Sequence, residues 1–265
     1  MTALILAAFL WIMSIISTWI FLRRVWWPPE VISTHGAAVD QQFVLTLIIA
    51  GAAFFFAQLG LGYIIWRFRG RGTERASFWH ESHKLEFTWT LVTAIVFVGL
   101  AVKGNLIWAS YVVAGAPPDA LTIEVTAQQF AWNIRYPGPD GRFGRTDPRL
   151  INDAATNFLG LDPKDPAGED DITTQNILAV PVNRPVRIIL RTKDVTHSFF
   201  VPHLRVKQDA VPGLAIPIHF TATKTGEYEV ACAELCGMQH YKMRSRLLIM
   251  QEQEYQNWLK QRASM

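Results

Sequence analysis

Cysteine is scarce in this chain. Its 265 residues include two, Cys232 and Cys236, and no Cys-x-x-Cys-His occurs, which excludes a covalently attached haem. Charge is missing from two long stretches, Met1 to Leu22 and Phe43 to Trp66. The second half lacks a bias of either sign: from residue 115 onward 17 Lys and Arg stand against 17 Asp and Glu. The formal net charge of +3 therefore belongs to the first half, and the polar half offers no basic face for nucleic acid. Half of all residues are hydrophobic, and they concentrate before residue 113.

Each uncharged stretch reaches the roughly 20 apolar residues needed to cross a bilayer. A third span runs from about Phe87 to Trp108, with Lys103 near its end, where a long stem snorkels outward. No basic residue precedes the first stretch, which predicts a retained helix rather than a cleaved signal. The loop between the second and third spans carries Arg67, Arg69, Arg71, Arg75 and Lys84 against Glu74 and Glu81. Short basic loops stay in the cytoplasm. Everything after residue 113 is then extracytoplasmic, although Arg23 and Arg24 fall on the outer side, against the same rule.

Residues 114–250 read as all-β. Leu121–Thr126, Val186–Arg191, Ile216–Thr221, Gly226–Ala231 and Ser245–Met250 alternate or nearly so, with Gly and Pro between them, which indicates a sandwich or barrel. A long polar loop separates Tyr136 from Thr173, with a helical turn expected between Leu150 and Leu159. Loops of this length are functional or mobile. Its acidic cluster, Glu169-Asp170-Asp171, reads as a solvated turn, with steering of a basic partner as the alternative. The chain thus divides into an anchor of about three membrane helices (1–113), an exported β domain (114–250) and a tail (251–265) that reads as a surface helix without a visible role.

Both cysteines fall in the run Cys232-Ala-Glu234-Leu-Cys236-Gly-Met-Gln-His240-Tyr-Lys-Met243. An oxidising compartment makes a disulfide the first competing reading. The ring would be tight, and the histidine and methionine would stay unexplained. Zinc could close a site on two Cys and two His, counting His197 upstream, but has no need of Met243. Copper suits the whole set, because thiolate and thioether favour Cu(I) while imidazole tolerates Cu(II). A mononuclear blue-copper site uses one Cys, so the second thiolate raises the prospect of two metals sharing both sulfurs.

On these residues, on His197-Ser-Phe-Phe-Val-Pro202, on Lys207-Gln-Asp209-Ala-Val-Pro-Gly213 and on the membrane hairpin, the chain resembles subunit II of the haem–copper cytochrome c oxidases. The resemblance covers about residues 40 to 250. It implies a membrane helical hairpin followed by a cupredoxin-like sandwich bearing the dinuclear copper centre CuA, with the first helix as an addition. Cys232 and Cys236 would bridge the metals. His197 and Met243 would complete one copper, and His240 with the backbone carbonyl of Glu234 the other. The Glu234 carboxylate would reach a magnesium ion at the boundary with subunit I. Glu86-Phe-Thr-Trp89-Thr90 also matches the family, where the glutamate sits at the cytoplasmic mouth of a proton path. An interfacial carboxylate among lipid headgroups is the other reading of Glu86.

The resemblance further implies partners and a place. Electrons would come from cytochrome c, soluble or membrane-bound but a separate polypeptide, and pass to haem in subunit I. Oxygen would there be reduced to water with proton translocation, in a bacterial plasma membrane with lipid and other oxidase subunits around it. A quinol oxidase subunit would lack the copper ligands, and a copper chaperone would need an open site. The CuA-bearing subunit of a nitrogen-oxide reductase is the alternative. One departure stands out: the family's Gln-Trp-Tyr-Trp is here Gln129-Phe130-Ala131-Trp132. Phe130 and Trp132 are the candidates for electron uptake, and the missing tryptophan implies a donor that docks differently. Of the remaining histidines, His80 and His83 read as headgroup-facing, His203 and His219 as surface or packing residues, and His35 carries no assignment.

Overall fold

The computed structural model describes residues 2–25, 27–70, 75, 78 and 80–264. Met1, Arg71 and Glu74, on which parts of the membrane reading rest, lie outside the described residues. The chain forms two compact units, residues 1–27 with 38–109 and residues 28–37 with 110–265.

The first unit consists of helices α1 (Thr2–Leu22), α2 (Gly36–Arg67) and α3 (His83–Trp108), the last running into a π turn at Ala109–Val113. All three are long and apolar enough to cross a membrane. In lipid such runs become helices because only a helix satisfies every backbone group within one segment. Large side chains such as Phe56 and Phe97 point outward, 68% and 69% exposed, as a lipid-facing surface requires.

Polar and small residues hold the helices to one another. The Trp11 indole N–H donates to the Leu59 carbonyl at 3.2 Å. Gly62 makes room for that ring, since a Cβ there would collide with Nε1. The additional helix α1 is thus packed on α2. Gln42 Nε2 donates to the Leu100 carbonyl at 3.1 Å and joins α2 to α3. Helix α2 begins earlier than the uncharged run, so Asp40, Gln41 and Gln42 are polar yet helical.

The second unit is a sandwich of two five-stranded sheets. Its strands are β1 (Leu121–Gln128), β2 (Ala131–Tyr136), β3 (Ile172–Gln175), β4 (Ile177–Pro181), β5 (Pro185–Thr192), β6 (His197–Val201), β7 (Val206–Ala210), β8 (Ile216–Thr221), β9 (Gly226–Cys232) and β10 (Arg244–Met250). One sheet is ordered β3-β2-β1-β5-β8 and the other β4-β10-β9-β6-β7. The pairs β1–β5 and β4–β10 are parallel and the rest antiparallel. Inward side chains including Ile123, Val125, Trp132, Ile188, Leu190, Phe199 and Leu247 fill the space between the sheets.

Strand β2 alternates in sequence, Trp132-Asn133-Ile134-Arg135-Tyr136, yet is buried along its whole length. Its outer face is covered by the polar segment 137–171, which corrects the solvated-turn reading at Asp171 while leaving Glu169 of the same cluster exposed. Arg135, 2% exposed, donates to Asp171 Oδ2 (Nε, 3.0 Å) and Glu124 Oε2 (Nη1, 3.1 Å), and also to the Gly144 carbonyl. The Asp171 side chain is completely buried, and Phe143 stacks over the guanidinium. The segment itself is built from short 3-10 turns at Pro148–Leu150, Asp153–Ala155 and Pro166–Gly168, each capped by an Asp or Asn side chain.

The tail also has a role. Helix α4 (Glu252–Ala263) buries Tyr255 and sets Trp258 edge-on against Tyr136, 5.5 Å between centroids. The Tyr136 hydroxyl both accepts from the Ala179 N–H (2.7 Å) and donates to the Ala179 carbonyl (3.2 Å). Residues 28–37 join the β unit as an extra edge: Ile32 N–H donates to the His203 carbonyl (2.9 Å), and Thr34 N–H to the Thr221 carbonyl (3.1 Å). In the same unit His35 stacks on Tyr111, 3.9 Å between centroids, and His219 packs on the same ring. His203 packs against Tyr228.

Candidate metal centre

Three segments deliver the candidate ligands. Strand β6 opens on His197, which is fully buried; β9 ends on Cys232; and the loop between β9 and β10 carries Glu234, Cys236, His240 and Met243. Pairing of β6 with β9 in the register Phe199–Cys232 brings His197 and the loop to the same end of the sheet. Backbone bonds close the loop, from Cys232 N–H to the Met243 carbonyl and from Ala233 N–H to the Ser198 carbonyl.

The two sulfurs stand 3.9 Å apart. That is far beyond an S–S bond of about 2.05 Å, and both cysteines are free. It matches two thiolates sharing a metal through bonds of about 2.3 Å each. His197 Nδ1 lies 3.9 Å from Cys232 Sγ, and His240 Nδ1 lies 3.5 Å from Cys236 Sγ. The Glu234 carbonyl is 3.2 Å from Cys232 Sγ, and Met243 Sδ is 3.8 Å from Cys236 Sγ. One atom each from His197, Cys232 and Cys236 falls within a sphere of 4.8 Å. Each candidate ligand thus neighbours one of the two sulfurs, with an imidazole beside each. The Glu234 side chain itself faces outward and is exposed.

Electrostatics sharpens the picture. Burial opposes ionisation of Cys232, but hydrogen bonds from His197, the Ser198 and Glu234 backbone and His240 outweigh it and lower its pKa to about 6. Burial and the neighbouring Cys232 charge raise the Cys236 thiol to about 11. Two bare thiolates this close repel, so one stays protonated until a cation joins them. Burial would disfavour charge on His197, yet Cys232 and Asp194 together raise its pKa.

The aromatic pair divides in two. Trp132 is fully buried and sits edge-to-face with the His197 ring at 6.3 Å, so a docking partner cannot touch it. It forms an inner wall of the site, so any part it takes in electron uptake is from within the domain. Phe130 is half-buried and packs over Gly237: a Cβ at that glycine would come within 3.1 Å of the Phe130 ring and 2.8 Å of Gln129 Nε2. Gly237 also holds φ +134°, a region L side chains rarely adopt. Glu86 lies in the first turn of α3 in the other unit, 3.7 Å from His83 Nδ1. Sequence reading passed over Asp194 and the side chain of Gln129. Their signal was position alone, Asp194 three residues before His197 and Gln129 beside Phe130.

The profile of the cytochrome c oxidase subunit II periplasmic domain matches residues 121–249. The alternative cytochrome c oxidase subunit 2 of Bradyrhizobium diazoefficiens is 36% identical over 237 residues, spanning 89% of this chain and 83% of that protein. The chain belongs to the cytochrome c oxidase subunit II family. Cytochrome c oxidase subunit 2 of Cereibacter sphaeroides is 31% identical over 228 residues, 81% of this chain and 73% of that protein. A solved periplasmic domain of subunit II from Bradyrhizobium japonicum covers 56% of this chain and 97% of its own, with 31% identity and a TM-score of 0.42. As a member of this family the chain is one subunit of a haem–copper oxidase complex. Its apolar helices make it a membrane protein, and its β-sandwich corresponds to the family's periplasmic domain. The His–Cys cluster is compatible with copper.

Proposed function

We propose that this chain receives electrons for the oxidase through a dinuclear CuA centre held by Cys232, Cys236, His197, His240, Met243 and the Glu234 carbonyl. The observation that carries the reading is the pair of free sulfurs 3.9 Å apart with an imidazole beside each. Two coppers bridged there would share one electron over both metals and pass it on with little change in geometry. The chain's own residues make that possible. Cys236 and Met243 are buried at 3% and 1% exposure and keep water away, while β6 and the ligand loop fix the donors in place.

The donor is cytochrome c, diffusing or membrane-bound, and the acceptor is haem in subunit I, where oxygen is reduced with proton translocation. The exposed Glu234 carboxylate is free to reach a magnesium ion shared with subunit I, and Glu86 serves as the mouth of a proton path. Both assignments rest on the family resemblance. The basic loop supports an extracytoplasmic copper domain, and we take the membrane to be a bacterial plasma membrane on the family resemblance. Named relatives that are oxidase subunits speak against the nitrogen-oxide reductase alternative.

Metal quantitation with electron paramagnetic resonance on the full chain in detergent tests the centre. Two coppers per chain sharing one unpaired electron are expected; one copper, or zinc, would refute it. Binding should also release protons. At pH 8 a Cys232 thiol with a pKa of about 6 is already ionised, whereas Cys236 at about 11 is not. Metal binding to both sulfurs therefore expels at least the proton that Cys236 retains. Calorimetry in buffers of different ionisation enthalpy reads the protons released, and no proton release would show that the sulfurs are not both ligands.

Phe130 replaces the family's tryptophan, and we read the donor as docking differently for that reason. Phe130→Ala should then change the rate of electron uptake by less than about tenfold. Stopped-flow reduction measures it. A loss of about a hundredfold with the copper signal intact would make Phe130 itself the point of uptake.

A further inference from the structure

Asp194 lies in the turn between β5 and β6 and belongs to no ligand set, yet its carboxylate collects three close donors. Oδ1 accepts from His197 Nε2 at 2.8 Å and from the Val195 backbone N–H at 2.7 Å. Oδ2 accepts from the Gln129 backbone N–H at 2.7 Å. Gln129 in turn donates its side-chain Nε2 to the Cys236 carbonyl at 2.5 Å. A continuous hydrogen-bonded path therefore runs from the His197 ring, through the β1–β2 turn, to the backbone of the ligand loop. It joins three segments far apart in sequence, and the middle one carries no ligand at all.

We infer that Asp194 and Gln129 are positioning residues that brace the metal centre. A neutral imidazole has one N–H. Giving that proton to Asp194 from Nε2 leaves the Nδ1 lone pair facing the Cys232 sulfur, the orientation a metal on the sulfurs requires. Outer carboxylates of this kind fix the tautomer and raise the basicity of a ligating histidine. Gln129 extends the brace: its backbone anchors to Asp194 while its side chain holds Cys236, so the turn bearing Phe130 and the ligand loop move as one. The brace is made of protein groups alone. Its effect on copper rests on the CuA reading, and its effect on the backbone does not.

Asp194→Ala, Asp194→Asn and Gln129→Ala in the full chain separate these parts. In copper-loaded Asp194→Ala we expect a higher reduction potential, because a negative charge favouring the oxidised metals is gone. We also expect altered copper hyperfine splitting and copper affinity lower by about 10- to 100-fold. Asp194→Asn keeps the shape, loses the charge and should fall between the parent and Ala. In the metal-free chain, hydrogen exchange read by mass spectrometry should show the Gln129 amide opening about tenfold faster in Asp194→Ala, as the loss of a charge-assisted bond implies. Gln129→Ala should leave that amide protected and loosen the 234–240 loop instead. Parent-like potential and spectrum with two coppers bound would overturn the role at the metal while leaving the CuA reading intact. Unchanged exchange at Gln129 would overturn the brace itself. If the parent binds no copper, the CuA reading fails, and the metal-free exchange still decides the brace.

Discussion

Cys236→Ser is expected to reduce bound copper from two per chain to one or none and to slow electron uptake by more than about a hundredfold. Loss of an outer-shell partner alone typically costs 10- to 100-fold, and on the CuA reading Cys236 would be a ligand itself. Cys236 is 3% exposed, and its sulfur is the common neighbour of Cys232 Sγ, His240 Nδ1 and Met243 Sδ, at 3.9, 3.5 and 3.8 Å. A serine hydroxyl fills nearly the same space but is a hard, weakly acidic donor that holds Cu(I) poorly. Metal quantitation and stopped-flow reduction of the assembled oxidase give the two readouts. The thermal transition of the metal-free variant should match the parent and so exclude misfolding as the cause. Retention of two coppers and a normal rate would rule out a bridging thiolate at this position.

Asp171→Ala is expected to destabilise the β unit by about 3–5 kcal/mol, the cost of leaving a buried charge without its partner. The Asp171 side chain has no exposed surface and Arg135 is 2% exposed, so water cannot replace the lost carboxylate. Glu124, 18% exposed at its side chain, would remain as the sole carboxylate on the guanidinium. Arg149→Ala provides the contrast. Arg149 pairs with Asp147 at the surface with 89% of its side chain exposed, and its loss should leave stability unchanged because solvent screens the pair. Denaturant titration of the full chain, followed by tryptophan fluorescence, compares the two. Equal midpoints for both variants would mean that the segment 137–171 is not anchored through Arg135.

The parts of this protein legible without coordinates were those written in local pattern. Uncharged runs located α1 and α2, and a nearly uncharged one located α3, since crossing a bilayer demands an apolar surface on all sides of each helix. Strands with one face toward the core, such as β8 at Ile216–Thr221, declared themselves by alternation. Strand β2 alternates too, at Trp132-Asn133-Ile134-Arg135-Tyr136, but that pattern predicts a solvated outer face, and the segment covering it buries Asn133 and Arg135 instead. The same segment, rich in Pro, Gly and Asp, reads as solvent-exposed loop, and only Arg135 reaching Asp171 turns it into a lid over the sheet. The tail gave no sign that Tyr255 and Trp258 would meet Tyr136, more than a hundred residues earlier.

The site divides along the same line. Donor chemistry was determined by the sequence itself, since two thiols, an imidazole and a thioether within twelve residues are soft ligands wherever they are placed. Their convergence with His197 was decided by the pairing of β6 with β9, a contact across the fold. The brace from His197 through Asp194 and Gln129 to Cys236 was decided there too. Aspartate and glutamine are ordinary turn residues, and nothing in their own identity marks them as partners of a metal ligand. Ligand type is a property of side-chain atoms and survives in the linear chain. The direction in which those atoms point is set by hydrogen bonds between segments that only folding brings together.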